Sequence, residues 1–144
     1  MIQLLSVFIG CIGFGMLFHL QSRHYLRAAL GGVCTYLVYM ICSIYIKNGF
    51  IPVFLASASG ALYAEVLARI QRAPTTLYLI IAVISLVPGS SLFYTMSAFV
   101  REDWDLVHSY GLETAIFAVA IALGMSLVLS LIHISEPTRL RRIS

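Results

Sequence analysis

Five long apolar segments, separated by short polar turns, run along this chain. Each segment is long enough to cross the roughly 30 Å hydrocarbon core of a bilayer as a helix. The pattern predicts an all-α integral membrane protein with about five transmembrane helices. The predicted helices cover residues 1–20, 26–46, 50–70, 75–99 and 111–128.

The fourth segment is interrupted near its centre by Pro88-Gly89, and Ser90 and Ser91 follow directly. In a helix interior, proline costs about 3 kcal/mol and glycine about 1 kcal/mol. The carbonyls freed near Ile84 need a neighbouring helix, a hydroxyl or a cavity, because lipid offers them no water. We therefore predict a broken helix buried among the others. Such a break is either a substrate site, as in transporters, or a packed proline kink without a ligand.

The third segment combines a stripe of small residues with a charged pair. Ala56, Gly60 and Ala64 recur every four residues, which favours close contact with another helix. Glu65 precedes Arg69 by four residues, a favourable spacing for a helical ion pair. Glu65 is therefore either half of an ion pair near the membrane surface or a proton-titrating group that faces the substrate. The second interpretation rests on the cost of ionisable groups inside spans, where they are usually functional.

Aromatic residues indicate where the helices meet the membrane surface. The single tryptophan, Trp104, lies in the acidic turn at residues 101–105 and is expected to mark an interface. Tyr36, Tyr39 and Tyr45 of the second segment could anchor that helix or line a pore, and anchoring is the expectation at helix ends.

The final helix is predicted to begin near Gly111, after the acidic turn. Glu113 and Thr114 would then lie in its first turn. An acidic side chain is favourable there, because the start of a helix carries a partial positive charge.

Composition supports a membrane protein without catalytic chemistry. The 144 residues are 60% hydrophobic and 10% charged, with a mean hydropathy of +0.96, so the bilayer must act as the solvent. Cys11, Cys34 and Cys42 lie inside apolar runs without metal-ligand spacing, and we interpret them as packing residues. HExxH, GxSxG and a nucleophile paired with a base are all missing from the sequence. We expect no catalytic residue, no metal site and no cofactor.

The tail at residues 129–144, LSLIHISEPTRLRRIS, has a different origin in our interpretation. It resembles a translated Nextera-type sequencing adapter, with the index barcode at residues 140–142. Without its three arginines and Glu136, the chain carries six basic and five acidic residues. Most of the net positive charge of the chain is therefore expected to come from the adapter. We reject a lipid-binding or nucleic-acid-binding role for the tail. The native domain is expected to be residues 1–128.

The distribution of basic residues predicts an orientation in the membrane. With five spans, the first and third turns share one side of the bilayer, and the second and fourth share the other. Basic residues favour the cytoplasmic side, which places the N-terminus outside and the native C-terminus inside. The first and third turns carry Arg23, Arg27, Arg69 and Arg72, and the other two carry Lys47 and Arg101.

The segment from Phe54 to Met96 resembles the threonine/serine exporter family. The residues that carry the resemblance are Ala64 to Arg69 (AEVLAR), then Pro74, then Leu86 to Gly89 (LVPG). The similarity is to the second membrane domain of the family, which also occurs as a separate small subunit of the YjjB type. The resemblance implies a bacterial inner-membrane subunit that works with a larger partner subunit and exports threonine and serine or succinate. No soluble domain precedes the helices, so the chain resembles the form of the family in which the two membrane domains are separate subunits. The resemblance is also compatible with an oligomer.

We hypothesise that segments three and four line the transport path together with the partner. Pro88 and Gly89 would expose backbone groups, and the hydroxyls of Ser90, Ser91 and Ser57 would meet a small polar metabolite. Glu65, paired with Arg69, could couple export to protons. The alternative is a structural subunit that stabilises its partner and has no substrate site.

Overall fold

The computed structural model describes residues 2–19 and 25–135, and within these ranges the backbone is helical apart from short turns. The described helices, in chain order, are α1 (Ile2–Leu17), α2 (Tyr25–Tyr45), α3 (Phe50–Gln71), α4 (Thr75–Ile84), α5 (Gly89–Val100) and α6 (Trp104–Ser135).

These helices confirm the predicted membrane architecture. By length and composition, α2, α3 and α6 can each cross a bilayer. The pair α4 and α5 meets the same criterion together and is bent by 63° between the two halves. The 16 residues of α1 are apolar and span about 24 Å, somewhat less than a typical hydrocarbon core. The fourth span is therefore broken where the sequence predicted it.

The start of α6 differs from the prediction. This helix begins at Trp104, because the Asp103 side chain accepts a hydrogen bond from the Leu106 amide at 3.3 Å and caps it there. The acidic residue of its first turn is Asp105. The placement of Glu113 and Thr114 in the first turn was therefore wrong, and both lie well inside the helix.

At its other end, α6 continues to Ser135, through the first residues of the segment interpreted as adapter-derived. Residues 136–144 lie outside the described part of the chain. The adapter origin of the tail stays a prediction.

The break between α4 and α5 is built from two tight turns. At the end of α4, the Leu86 amide donates to Val83 O at 2.9 Å, and the Val87 amide donates to Ile84 O at 3.3 Å. Each of these hydrogen bonds joins residues three apart, as in a 3₁₀-helix, so the last turn of α4 is tighter than an α-helical turn. Pro88 then adopts φ −78° and ψ 66°, and the Gly89 amide donates to Val87 O at 2.8 Å. This is an inverse γ-turn, which redirects the chain into α5.

Side chains satisfy carbonyls that the break has freed. The Cys11 thiol of α1 donates to Ile81 O at 3.7 Å. The Ser85 hydroxyl lies within hydrogen-bonding distance of Ala82 O, at 3.1 Å, and of Gly32 O on α2, at 3.3 Å. A broken helix in lipid needs hydrogen-bond partners from hydroxyl groups or from neighbouring helices, and these contacts provide them.

Helix α3 is the centre of the bundle and packs against α2, α4 and α6. The predicted small-residue stripe on α3 is buried, with Ala56 and Ala64 fully covered. A methyl group added at Gly60 would lie 2.6 Å from the Thr35 hydroxyl oxygen of α2, so only glycine fits at this crossing. Gly60 therefore lets the Thr35 side chain pack directly against the α3 backbone, as small residues do at helix contacts in other membrane proteins.

Candidate functional site

A partly open cavity of about 230 Å³ lies at the break between α4 and α5. Residues of the break form one side of it, and side chains of α2 and α6 form the other. Its lining residues are Tyr36, Tyr39, Ser85, Leu86, Val87, Pro88, Gly89, Ser90, Ser91, Glu113 and Phe117. Four of the predicted path residues, Pro88, Gly89, Ser90 and Ser91, therefore line one cavity.

The start of α5 faces this cavity without a side-chain cap. Pro88 is the N-cap residue, and its carbonyl accepts the first intrahelical bond, from the Leu92 amide at 3.0 Å. The first amides of any α-helix have no partner inside the helix, and the helix start carries about half a positive charge. This end of α5 is thus suited to an anionic group.

Ser91 adds a hydroxyl to the same side of the cavity. Its residue is only 7% exposed. The Ser91 carbonyl accepts a hydrogen bond from the Thr95 hydroxyl at 2.7 Å. The Ser91 hydroxyl itself has no hydrogen-bond partner among the described residues. The hydroxyl is not closed off from solvent, since Gln71 Nε2 is the buried side-chain atom without a partner in the described part of the chain, so a ligand or water in the cavity can reach it.

Glu113 of α6 supplies the only formal charge among the described residues that line the cavity. It lies nine residues beyond Trp104, which is about 14 Å along the helix axis. If Trp104 marks the membrane surface, this depth is close to the middle of the bilayer. Glu113 is not among the site residues predicted from the sequence, because the predicted start of the last helix placed it at a helix end. An acidic residue inside a 32-residue apolar helix is the signal that would have identified it.

Aromatic rings form the wall between α2 and α6. The ring centroids of Tyr36 and Tyr39 are 5.9 Å apart, and Tyr39 meets Phe117 edge-on at 6.3 Å. Tyr36 and Tyr39 lie in the middle of α2 and not at its ends, so the expectation that they anchor the helix in the interface does not hold for this pair. They line the cavity instead.

Ser57 lies elsewhere, in the contact between α3 and α6. Its side chain is fully buried, and its hydroxyl is 2.9 Å from Phe54 O and 3.4 Å from Ala120 O. The structure does not bring Ser57 to the cavity at the break. Its hydroxyl connects two helices.

The pair Glu65 and Arg69 forms a second, separate feature. The Arg69 Nε donates to Glu65 Oε1 at 2.9 Å, and the Arg69 side chain is more exposed than that of Glu65. Both line an open groove of about 250 Å³ with Leu62, Val66 and Ile132. The sequence therefore predicted the ion pair correctly. The pair does not share the cavity with Pro88 and Gly89.

The described residues contain no candidate metal site. Within residues 2–19 and 25–135, no group of three or more His, Cys, Asp or Glu side chains is placed to hold a metal ion. The three cysteines in these ranges have free thiols, and Cys11 is buried in the contact with the break.

Comparison with known proteins agrees with this architecture. The family model described as "Threonine/Serine exporter, ThrE" matches residues 3–131, which include every element of the cavity. No curated protein and no solved structure gives a significant match to the chain. The family match covers most of the chain, and the helices can span a bilayer. The chain therefore belongs to the threonine/serine exporter family and is a multi-pass membrane transport protein.

Proposed function

We propose that this chain is the small subunit of an exporter and that its substrates pass through the cavity at the α4–α5 break. Substrates are small polar metabolites, either threonine and serine or dicarboxylates of the succinate type. The observation that carries the proposal is the uncapped start of α5 beside the Ser91 hydroxyl, which lines the cavity at the break. Membrane transporters bind their substrates at interrupted helices of this kind, near the middle of the bilayer.

The exposed polar groups of the cavity support a larger partner subunit. Glu113 and Ser90 are exposed on the surface of the isolated chain. A charged side chain that faces lipid inside a span is costly, so a second protein must cover it or enclose water around it. Helix α5 packs mainly against α6, which leaves its other side free for such a partner.

We infer a location in the bacterial inner membrane with the N-terminus outside. The packing supports this orientation, because the Tyr63 hydroxyl of α3 donates to Arg27 O of α2 at 2.9 Å. The start of α2 therefore lies beside the end of α3, and Arg27, Arg69 and Arg72 gather at one end of the bundle. Basic residues favour the cytoplasmic side.

The test of this function is an efflux measurement in bacterial cells that lack their own exporters for these metabolites. Cells would express the chain alone, a larger subunit of the same family alone, or both. We expect export of threonine, serine or succinate only when both are present. A stable complex that exports none of them would contradict the proposal and favour a structural subunit.

We expect Glu65→Gln to remove the pH dependence of export while the complex still assembles. An amide cannot bind and release a proton, whereas it keeps the size of the side chain and can still accept a hydrogen bond from Arg69. The measurement is the efflux rate at acidic and at alkaline external pH. Glu102→Gln is the matched control, because Glu102 is exposed in the turn before α6. Wild-type pH dependence in Glu65→Gln would eliminate the coupling role.

A further inference from the structure

We propose that Glu113 determines the substrate specificity of the cavity: it binds the ammonium group of an amino acid and rejects dicarboxylates. The start of α5 and the Ser91 hydroxyl bind the carboxylate of the same molecule. This inference rests on the proposed function, and it decides between the two substrate classes named there.

The carboxylate side of the cavity combines two independent features. One is the uncapped N-terminus of α5, a helix of 12 residues, whose first amides can donate to an anion. The other is Ser91, whose residue is 7% exposed and whose hydroxyl, open to the cavity, makes no hydrogen bond among the described residues. One carboxylate has two oxygens and can accept from both features at once.

The ammonium side follows from the charge of Glu113 and from its neighbours. Glu113 and Phe117 are four residues apart and project from the same face of α6. The rings of Tyr36 and Tyr39 lie across from them on α2, and aromatic faces also attract cations. An ammonium group would meet a carboxylate and aromatic rings here. A second carboxylate would meet only negative charge.

The charges in the cavity disfavour dicarboxylates. The start of α5 offers roughly half a positive charge, which suits one carboxylate. The described lining residues include no Lys, Arg or His that could neutralise a second one. A dicarboxylate would therefore place one of its charges near Glu113 in a site that the partner shields from water, where like charges repel strongly. A zwitterion has opposite charges at its two ends and matches the two sides of the cavity.

The size of the cavity agrees with a small substrate. Its volume of about 230 Å³ is below the roughly 300–1,000 Å³ of pockets that hold drug-sized ligands. It is several times the approximately 30 Å³ that one water molecule occupies in the liquid. A metabolite with fewer than about ten heavy atoms would fill much of it and leave room for one or two waters.

The test is equilibrium binding of three radiolabelled compounds to the full chain in lipid nanodiscs, with and without the larger subunit. The compounds are L-threonine, 3-hydroxybutyrate (threonine without its ammonium group) and succinate. We expect the wild-type protein to bind threonine at least tenfold more tightly than the other two. Glu113→Gln should weaken threonine binding roughly 10- to 100-fold, the usual effect of losing a charge-assisted hydrogen bond, and should bind 3-hydroxybutyrate no less tightly than the wild type does.

Two further variants separate specificity from folding. Glu113→Asp keeps the charge and should retain a preference for threonine over 3-hydroxybutyrate. Ser91→Ala should weaken the binding of threonine and the binding of 3-hydroxybutyrate by a similar factor, roughly tenfold, because both compounds carry the same carboxylate. Glu102→Gln is the matched control and should bind all three compounds as the wild type does, since Glu102 lies in the turn before α6 and outside the cavity.

Three results would overturn the proposal. The first is unchanged threonine binding in Glu113→Gln. The second is a wild-type preference for succinate, which would remove the specificity role and leave export itself intact. The third is no binding of any compound, with or without the larger subunit, which would show that the cavity is not the substrate site. The efflux measurement decides independently whether the complex is an exporter.

Discussion

Gly124→Ala is expected to lower the free energy of unfolding by about 1–3 kcal/mol, one of the largest effects that a single methyl group can have in this bundle. A Cβ atom at position 124 of α6 would collide with the Ser57 hydroxyl and lie 2.7 Å from the Phe54 carbonyl oxygen of α3. Backbone atoms cannot move aside as a flexible side chain can. The two helices would have to separate, and α3 holds α2 and α4 in place as well.

Gly13→Ala is the matched control for this change, because a Cβ at Gly13 meets no heavy atom within 4 Å. It should leave stability unchanged or raise it by up to about 1 kcal/mol, since alanine favours the helix over glycine. The measurement is unfolding in detergent micelles, followed by circular dichroism for both variants and the wild type. Equal stability of Gly124→Ala and Gly13→Ala would contradict the close α3–α6 contact.

Pro88→Ala is expected to reduce export roughly tenfold or more while the complex still purifies. Proline prevents a continuous helix at a cost of about 3 kcal/mol, and alanine removes that cost. An amide at position 88 could then donate to Ile84 O, and α4 and α5 could join into one straight helix. A change of about 3 kcal/mol shifts the balance between broken and straight forms by roughly 100-fold. A straight helix would close the cavity and pair the amides at the start of α5.

The matched control is Pro74→Ala, which removes a proline at the exposed start of α4 and leaves the break intact. Its efflux rate should be close to that of the wild type. Efflux of threonine, serine and succinate should be measured for both variants beside the larger subunit. A wild-type rate in Pro88→Ala would mean that the break is only a packing feature.

Much of the fold could be predicted from local sequence alone. Apolar runs of sufficient length identified the membrane spans, because a helix must present about 20 apolar residues to cross the hydrocarbon core. Pro88-Gly89 identified the break, because proline removes a helical hydrogen bond wherever the helix lies in the bundle. The buried stripe of Ala56, Gly60 and Ala64 was equally visible, since a period of four residues keeps side chains on one helix face.

The start of α6 marks the limit of that local information. The polar residues around 101–108 indicated a longer turn, whereas the Asp103 cap lets the helix begin at Trp104. This error moved Glu113 to a helix end and hid its place inside a membrane span. Hydropathy averages over a window, but a capping hydrogen bond depends on a single side chain.

The cavity itself depended on tertiary structure. Its polar and aromatic groups come from three helices that are far apart in sequence, with Tyr39 on α2, Ser91 on α5 and Glu113 on α6. Ser57 is a serine like Ser91, but its hydroxyl lies in the α3–α6 contact and not at the cavity. Residue type and spacing decide which helix forms and which face is small. Which of those faces meet, and which side chains therefore share a cavity, is decided by how the helices pack.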